Sequence, residues 1–393
     1  MQPIKGLLST ENSEIHSRSA LQNLRIAVVH EWFVNHAGSE KVVEQLLHVF
    51  PKADLFSLVD FLPDNQRFYL QGKKPKTTFI QSLPFARKSF RSYLPLFPLA
   101  VESHDLRDYD LIISSSHLVS KGVLVREDQL HICYCHSPCR FAWDLYHQYL
   151  EEAGLQQGIK GRIAQYFLHK LRIWDQISTP RVGHFLANSA YIARRIGHVY
   201  GREAEVIYPP VDVEKFQPGT QKGDYFFAAS RLVPYKKMEL IVRAFSRMPE
   251  HKLILVGSGP DENRISALLT SNIEFRKEAN QADFQDLMAN AKAFVFAAEE
   301  DFGITMAEAL ACGTPVLAYK KGGASEIVLS GQNGYLFELQ TPESLIEQVQ
   351  VFTKNGVSMD SDSIRKSADR FSIQRFRDEI SNYIGQKWIQ KTQ

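Results

Sequence analysis

The stretch Ala297-Ala298-Glu299-Glu300-Asp301-Phe302-Gly303-Ile304-Thr305-Met306-Ala307-Glu308-Ala309-Leu310-Ala311-Cys312-Gly313-Thr314-Pro315-Val316 decides how this chain is read. It follows Ala293-Phe294-Val295-Phe296, an apolar run of the kind that forms a buried parallel strand. A loop carrying Glu300 comes next, and Phe302-Gly303-Ile304 opens a helix that stops at Gly313. Glu300 therefore sits at the helix mouth and Glu308 about a turn and a half inside it. The N–H groups of Phe302, Gly303 and Ile304 face the same mouth, a seat for an anionic or hydroxyl-rich ligand, and Gly303 permits close backbone approach. Alone, the stretch also reads as a helix with one solvated glutamate and a glycine at its start.

Outward from it, 393 residues exceed one ordinary core, so two domains are expected. An apolar fraction of 44% and a charged fraction of 23% are those of a soluble globular protein. The net charge of +2 hides a basic stretch. Residues 67–107 carry Arg67, Lys73, Lys74, Lys76, Arg87, Lys88, Arg91 and Arg107 against only Glu102 and Asp105. No run approaches the ~18 apolar residues of a membrane span. Residues 1–23 lack the apolar segment of a secretory signal and read as a disordered polar extension. Four cysteines in a chain of this size suggest no disulfide framework, which makes a cytoplasmic location the expectation.

A first domain is expected over 24–207. Arg25-Ile26-Ala27-Val28-Val29-His30 reads as a buried strand, Gly38 as its loop glycine and Glu40–Phe50 as a helix, the opening of a doubly wound α/β domain. Further strands read at 111–114, 131–135, 184–188 and 204–207. Tyr208-Pro209-Pro210 cannot continue a central strand, and with Gln217-Pro218-Gly219 it marks a linker over 208–221. A second domain follows over 222–372, with strands at 225–229, 253–256, 294–296 and 316–318 alternating with helices, so its sheet is parallel. The last helix, 373–393, sets Phe376, Ile380, Ile384 and Trp388 on one stripe.

Several constellations invite chemistry. Leu255-Val256-Gly257-Ser258-Gly259-Pro260 ends a strand in a glycine loop, but Glu262 stands where the third glycine of a dinucleotide fingerprint belongs, which argues against an NAD site. Asp108-Tyr109-Asp110 and Asp360-Ser361-Asp362 fit an Asp-x-Asp metal pattern, yet neither lies at a strand's C-terminal end. In His131-Ile132-Cys133-Tyr134-Cys135-His136, alternation puts both cysteines on one face and His136 on the other, which speaks against zinc. His136 itself ends a strand, where ligands bind; a satisfied core histidine is the alternative. The stretch Thr77–Arg107 interleaves bases with Phe79, Phe85, Phe90, Tyr93 and Phe97; it is expected to touch acceptor and anionic membrane, with packing onto the core as the competing reading. No nucleic-acid signature accompanies it.

The two glutamates with Phe-Gly-Ile between them, the segment Ser230-Arg231-Leu232-Val233-Pro234-Tyr235-Lys236-Lys237, and Gly322-Gly323-Ala324-Ser325-Glu326-Ile327-Val328 together resemble the donor site of retaining GT-B glycosyltransferases, the large family 4. The resemblance spans roughly residues 24–390. It implies two facing Rossmann-like domains with parallel sheets and a C-terminal helix crossing back to the first. It also implies a metal-independent transfer that retains configuration, makes an α-linkage and needs no cofactor. Glu308 would hold the ribose, Glu300 and the Phe302, Gly303 and Ile304 amides the sugar, and Glu326 the phosphate side. Arg231 and Lys236 would stabilise the leaving diphosphate, an Arg fork and a Lys point charge suiting that task. His136 would face the donor sugar, Gly38 would let the backbone approach the donor phosphate or the acceptor, and the loop of Gly257 would lie near the nucleotide. Glu300, His136, Arg231 and Lys236 would form the catalytic group. Cys135-His136-Ser137-Pro138 and Tyr208-Pro209-Pro210-Val211-Asp212 look most like mannosyltransferases of bacterial surface-polysaccharide assembly, implying GDP-mannose, a lipid-linked or glycan acceptor and a site on the inner face of the cell membrane. A UDP-sugar transferase, an epimerase or phosphorylase of the same fold, and a non-catalytic nucleotide-sugar sensor are the rival readings.

Overall fold

The computed structural model describes residue 21, residues 23–219 and residues 221–393. Most of the extension expected over 1–23 lies outside them, but Leu21 is buried against the first core, so the polar reading fails there. The chain divides into two compact units, one comprising residues up to Tyr208 together with Phe376–Gln393, the other Pro209–Arg375.

The first unit carries seven strands: β1 (Ile26–Phe33), β2 (Asp54–Asp60), β3 (Lys76–Thr77), β4 (Leu111–Ser116), β5 (Leu130–Cys135), β6 (His184–Ala187) and β7 (Ala204–Val206). All pairings are parallel, in the order β3-β2-β1-β4-β5-β6-β7. The second unit holds β8 (Phe226–Ala229), β9 (Leu253–Val256), β10 (Ile273–Arg276), β11 (Ala293–Phe296), β12 (Val316–Tyr319) and β13 (Gly334–Phe337), again parallel, in the order β10-β9-β8-β11-β12-β13. The central strands are the apolar runs of the sequence, buried on both faces by the crossover helices that parallel pairing demands. β2, β3, β10 and β13 were not anticipated. β3 is a two-residue edge strand, and β10 alternates Ile273 and Phe275 with charged Glu274 and Arg276, as edges do.

The strand order reverses once in each sheet: between β1 and β4 in the first, between β8 and β11 in the second. At such a switch point the loops leave the sheet in opposite directions and open a crevice at the strands' C-terminal ends.

The segment between the domains departs from its expected role as a linker, whereas the last helix returns to the first unit as expected. The expected linker at 208–221 packs into the second unit: Val211, Val213 and Phe216 are buried, and Val211 N–H donates to Phe371 O at 2.8 Å. The last helix, Ile373–Thr392, instead completes the first unit's core, with Phe376, Ile380 and Ile384 fully buried among Val28, Ile113 and Ile132. Arg377 adds two hydrogen bonds to Gln45 Oε1 at 2.8 and 2.6 Å. Truncating Ile384 to alanine should cost ~2–5 kcal/mol. Urea unfolding followed in the first unit, through a probe on β1 or β4, should show the loss; an unchanged midpoint would mean the helix is not part of that core.

Candidate functional site

In the second unit the motif residues gather at the switch point. The loop after β8 runs Ser230, Arg231, then the buried Leu232, and closes in a 3-10 turn, Pro234–Lys236. Lys237 takes the left-handed conformation at φ 54° to enter the helix Met238–Phe245. Arg231 is exposed and donates to Tyr235 Oη at 2.8 Å. Lys236 reaches across to the loop after β11 and pairs with Glu300, both side chains being largely buried. One ion pair thus spans the mouth between the two strands.

Glycines allow the neighbouring loops to close on these two. A Cβ on Gly257, in the loop after β9, would stand 2.0 Å from Ser230 O, and the Leu232 N–H donates to Ser258 O at 2.9 Å. On the other side, a Cβ on Gly322 would meet Glu300 O at 2.2 Å and one on Gly323 would meet Phe302 O at 2.4 Å, while the Gly323 N–H donates to Glu300 O at 2.9 Å. Four loops are therefore knitted by backbone. This contact accounts for Gly257 by packing, a cause that differs from the nearness to the nucleotide inferred for its loop. Glu326 is half-buried in the turn that follows, its N–H donating to Gly323 O at 3.0 Å.

The expected helix is Ile304–Ala311, capped by Gly303 at φ 92° and ended at Gly313 at φ 63°. The Phe302 ring points inward, edge-on to Phe371 at 5.4 Å, so only its backbone is offered to a ligand. Glu308, 8% exposed, lies in the second turn of the helix.

The first unit's switch point holds a polar cluster that sequence reasoning found only in part. His30 on β1 and Ser115 on β4 are register partners, and Ser115 Oγ lies 3.1 Å from His30 Nδ1 and 2.8 Å from His136 Nε2. His30 Nε2 is 3.6 Å from Glu40 Oε1. Glu40 stands in the first turn of the helix Gly38–Val49, which Gly38 opens, and its carboxylate accepts from Ala37 N–H at 3.2 Å and Ser39 Oγ at 3.0 Å. The row Glu40–His30–Ser115–His136 therefore runs beneath the crevice. Burial works against ionising Glu40, but the His30 imidazole 3.6 Å away outweighs it and holds the carboxyl at about 2. Burial, reinforced by His117 and His30, pushes His136 well below the ordinary histidine range and keeps it neutral. His136 is thus on the expected face, with Tyr134, while Cys133 and Cys135 pack into the core on the other.

Behind β1, Glu31 is fully buried. Its carboxylate accepts from the N–H groups of His117, Leu118, Val119 and Ser120 and from the Ser116 and Ser120 hydroxyls at 2.8–3.1 Å. Burial raises its pKa, but His117 and the Ser120 and Val119 amides bring the net shift below the usual range. His30-Glu31 at the end of an apolar strand, and Ser114-Ser115-Ser116 at the end of another, were the signals available in the sequence.

Other candidates have structural uses. Asp110 accepts from Arg25 N–H at 2.8 Å at the start of β4, and Asp360 caps the helix Ser361–Ser367 through Ser363 N–H. The stretch 67–107 divides: Phe90, Phe97, Ala100 and Val101 are core, Arg67 is tied to Asp60 and Arg107 to Asp105, whereas Phe79, Phe85, Arg87 and Lys88 are exposed. Core packing thus claims more of it than the favoured contact reading allowed.

Residues 37–215 match the family model Glycosyltransferase Family 4, and residues 211–371 match Glycosyl transferases group 1. An uncharacterized glycosyltransferase of Methanocaldococcus jannaschii is 27% identical over 208 residues, 51% of this chain and 55% of that protein. A GDP-mannose-dependent monoacylated alpha-(1-6)-phosphatidylinositol monomannoside mannosyltransferase of Corynebacterium glutamicum is 30% identical over 171 residues, 36% of this chain and 45% of that protein. The chain thus spans about half the length of these relatives. The crystal structure of Anabaena HepE in complex with UDP and glucose superposes over 91% of this chain and 98% of that one, with a TM-score of 0.64 at 17% identity, a likeness of fold.

Because Glu40 is depressed from 4.5 to about 2 on folding, the stability it contributes is complete above about pH 4.5 and is lost as the pH falls towards 2. The gap in unfolding free energy between wild type and Glu40→Gln should be on the order of 3 kcal/mol above pH 5 and should narrow steadily down to pH 3. Urea titrations at four pH values measure it; a pH-independent gap would remove Glu40 from the titration.

Proposed function

We propose, from the premise that this chain is a GT-B protein carrying family 4 and group 1 glycosyltransferase domains in series, that it transfers a hexose from a nucleotide sugar to a glycan or lipid-linked acceptor. The observation that carries this reading is the Lys236–Glu300 pair across the β8–β11 switch point, with Arg231 on the same loop. A nucleotide sugar needs cations for its diphosphate and a carboxylate near its sugar, and this mouth supplies both. The Lys236 ammonium has three donors, so it can hold Glu300 and a phosphate oxygen together. Arg231 offers its fork to the same diphosphate. Charge on the leaving group is then stabilised by fixed cations, with no metal or cofactor required.

Glu300, beside the reacting sugar, stabilises positive charge growing at the anomeric carbon, while the Phe302, Gly303 and Ile304 backbone and Glu308 hold sugar and ribose. His136, neutral and anchored through Ser115, takes the role the resemblance gives it at the donor sugar. The acceptor hydroxyl attacks the face the diphosphate leaves, so configuration is retained and the linkage is α. The donor is GDP-mannose: the Cys135-His136-Ser137-Pro138 and Tyr208-Pro209-Pro210 segments support it, as does the GDP-mannose dependence of the Corynebacterium relative. The acceptor belongs to surface-polysaccharide synthesis, and the enzyme works in the cytoplasm, peripherally on the inner face of an anionic membrane.

The donor is tested by thermal shift. GDP-mannose should raise the melting temperature more than UDP-glucose or UDP-GlcNAc at equal concentration, since preferential binding stabilises by mass action. A clear UDP-sugar preference would end the mannose reading and leave the fold untouched. The glutamates separate by kinetics. Glu308→Gln should raise KM with little change in kcat, because ribose contacts are made equally in ground and transition states. Glu300→Gln should bind donor almost normally and lose kcat by on the order of 10²-fold. Near wild-type kcat in a folded Glu300→Gln protein would assign Glu300 to positioning alone, and donor binding with no turnover of any acceptor would favour a sensor.

A further inference from the structure

The helix Gly158–Ser178 is apolar on two opposite faces, and among the described residues only one of them has a partner. Gly161, Leu168, Leu171, Asp175 and Ser178 are buried in the first unit. On the other side Ile159, Ile163, Tyr166, Ile173 and Ile177 are exposed, Ile159 by 79% and Ile177 by 62%. With Lys170 they recur at intervals of four and three residues, so at 3.6 residues per turn they fall within an arc of ~80° and run ~27 Å along the helix. Exposed isoleucines in register over five turns are not the scatter of single apolar residues that surfaces normally show.

The charges on this face all have one sign. Lys160 and Arg162 flank the stripe and Lys170 lies within it, all exposed. The helix holds one carboxylate, Asp175, which is buried against Lys121 at 3.0 Å on the opposite side. A second copy of the chain seated helix to helix on this stripe would bring the cations of both helices together, with no exposed carboxylate on either helix to pair them. A lipid surface avoids that conflict, since isoleucine side chains enter the acyl boundary while the lysine and arginine heads reach anionic headgroups.

We propose that the outer face of the helix Gly158–Ser178 is a docking surface for an anionic membrane, lying in its plane with Ile159, Ile163, Tyr166, Ile173 and Ile177 inserted. This rests on the peripheral-membrane part of the reading above and is independent of the donor. It also moves that contact away from the basic stretch 67–107.

The test is co-sedimentation of the full chain with vesicles of phosphatidylglycerol and phosphatidylcholine, set against phosphatidylcholine alone. Wild type should pellet with the anionic vesicles, less so as salt screens the charges. Ile163→Ser with Ile173→Ser should lower the partition coefficient by at least ~tenfold, given the worth of each inserted side chain. Lys160→Glu with Lys170→Glu should lower it and abolish its salt dependence. The GDP-mannose melting shift, measured on the same proteins, should not change, which confirms folding and separates this result from any failure of the donor reading. The proposal is overturned if wild type does not bind, if it binds neutral vesicles equally, or if the isoleucine variant binds like wild type. It is overturned also if Arg87→Glu with Lys88→Glu alone removes binding, or if wild type is a dimer that the isoleucine variant converts to monomer.

Discussion

The carboxylate of Glu31 is the fixed point of the first unit. A buried anion is tolerated only when its lone pairs are filled, and here the successive amides of residues 117–120 and two serine hydroxyls fill them. The bonds tie the turn after β4 to the end of β1, across the point where the strand order reverses. On the opposite face of the same two strands, His30 and Ser115 are then held in register, and Ser115 in turn holds His136. Without Glu31 the four amides would be buried and unpaired, each costing about 1–3 kcal/mol. The imidazole that resemblance assigns to catalysis is therefore oriented by a residue that never approaches it.

The second unit joins its loops by a different means. Its loops are brought together by removing side chains, at Gly257, Gly322 and Gly323, so that backbone lies against backbone. What remains above the strand ends is the pair Lys236 and Glu300, one from each side of the reversal. Opposite charges there keep each other in place.

Much of this was legible in the sequence, for reasons that can be named. The strand Ala293–Phe296 and the helix after it are marked by a continuous apolar run, a glycine start and a glycine stop, all local signals. Glu300 and Lys236 were readable because each sits in a distinctive short segment; that they pair was not, since 64 positions separate them. The same holds for His30 and Ser115, 85 positions apart, whose partnership depends on strand order. β10 escaped because it alternates apolar with charged residues, as edge strands do, and β13 because it is four residues long and opens on a glycine. The segment 208–221 was read by its prolines, which set backbone shape, whereas its place is decided by Val211, Val213 and Phe216 packing inward. The helix Gly158–Ser178 passed unnoticed because its outward apolar stripe can be told from an inward one only when burial is known.

The path of the chain through its two units also fixes an order of assembly. The first unit's core includes Phe376, Ile380 and Ile384, so the chain leaves it after Tyr208, completes the second unit, and only then returns. On the ribosome, domains close as their residues emerge, ordinarily from the N-terminus onward. Here the later unit is complete first. Until the last helix emerges, the N-terminal half carries an open apolar trough lined by Val28, Ile113, Ile132 and Tyr134. Nascent chains of this protein therefore keep that trough open until the last helix has left the ribosome, and the half that was made first closes last.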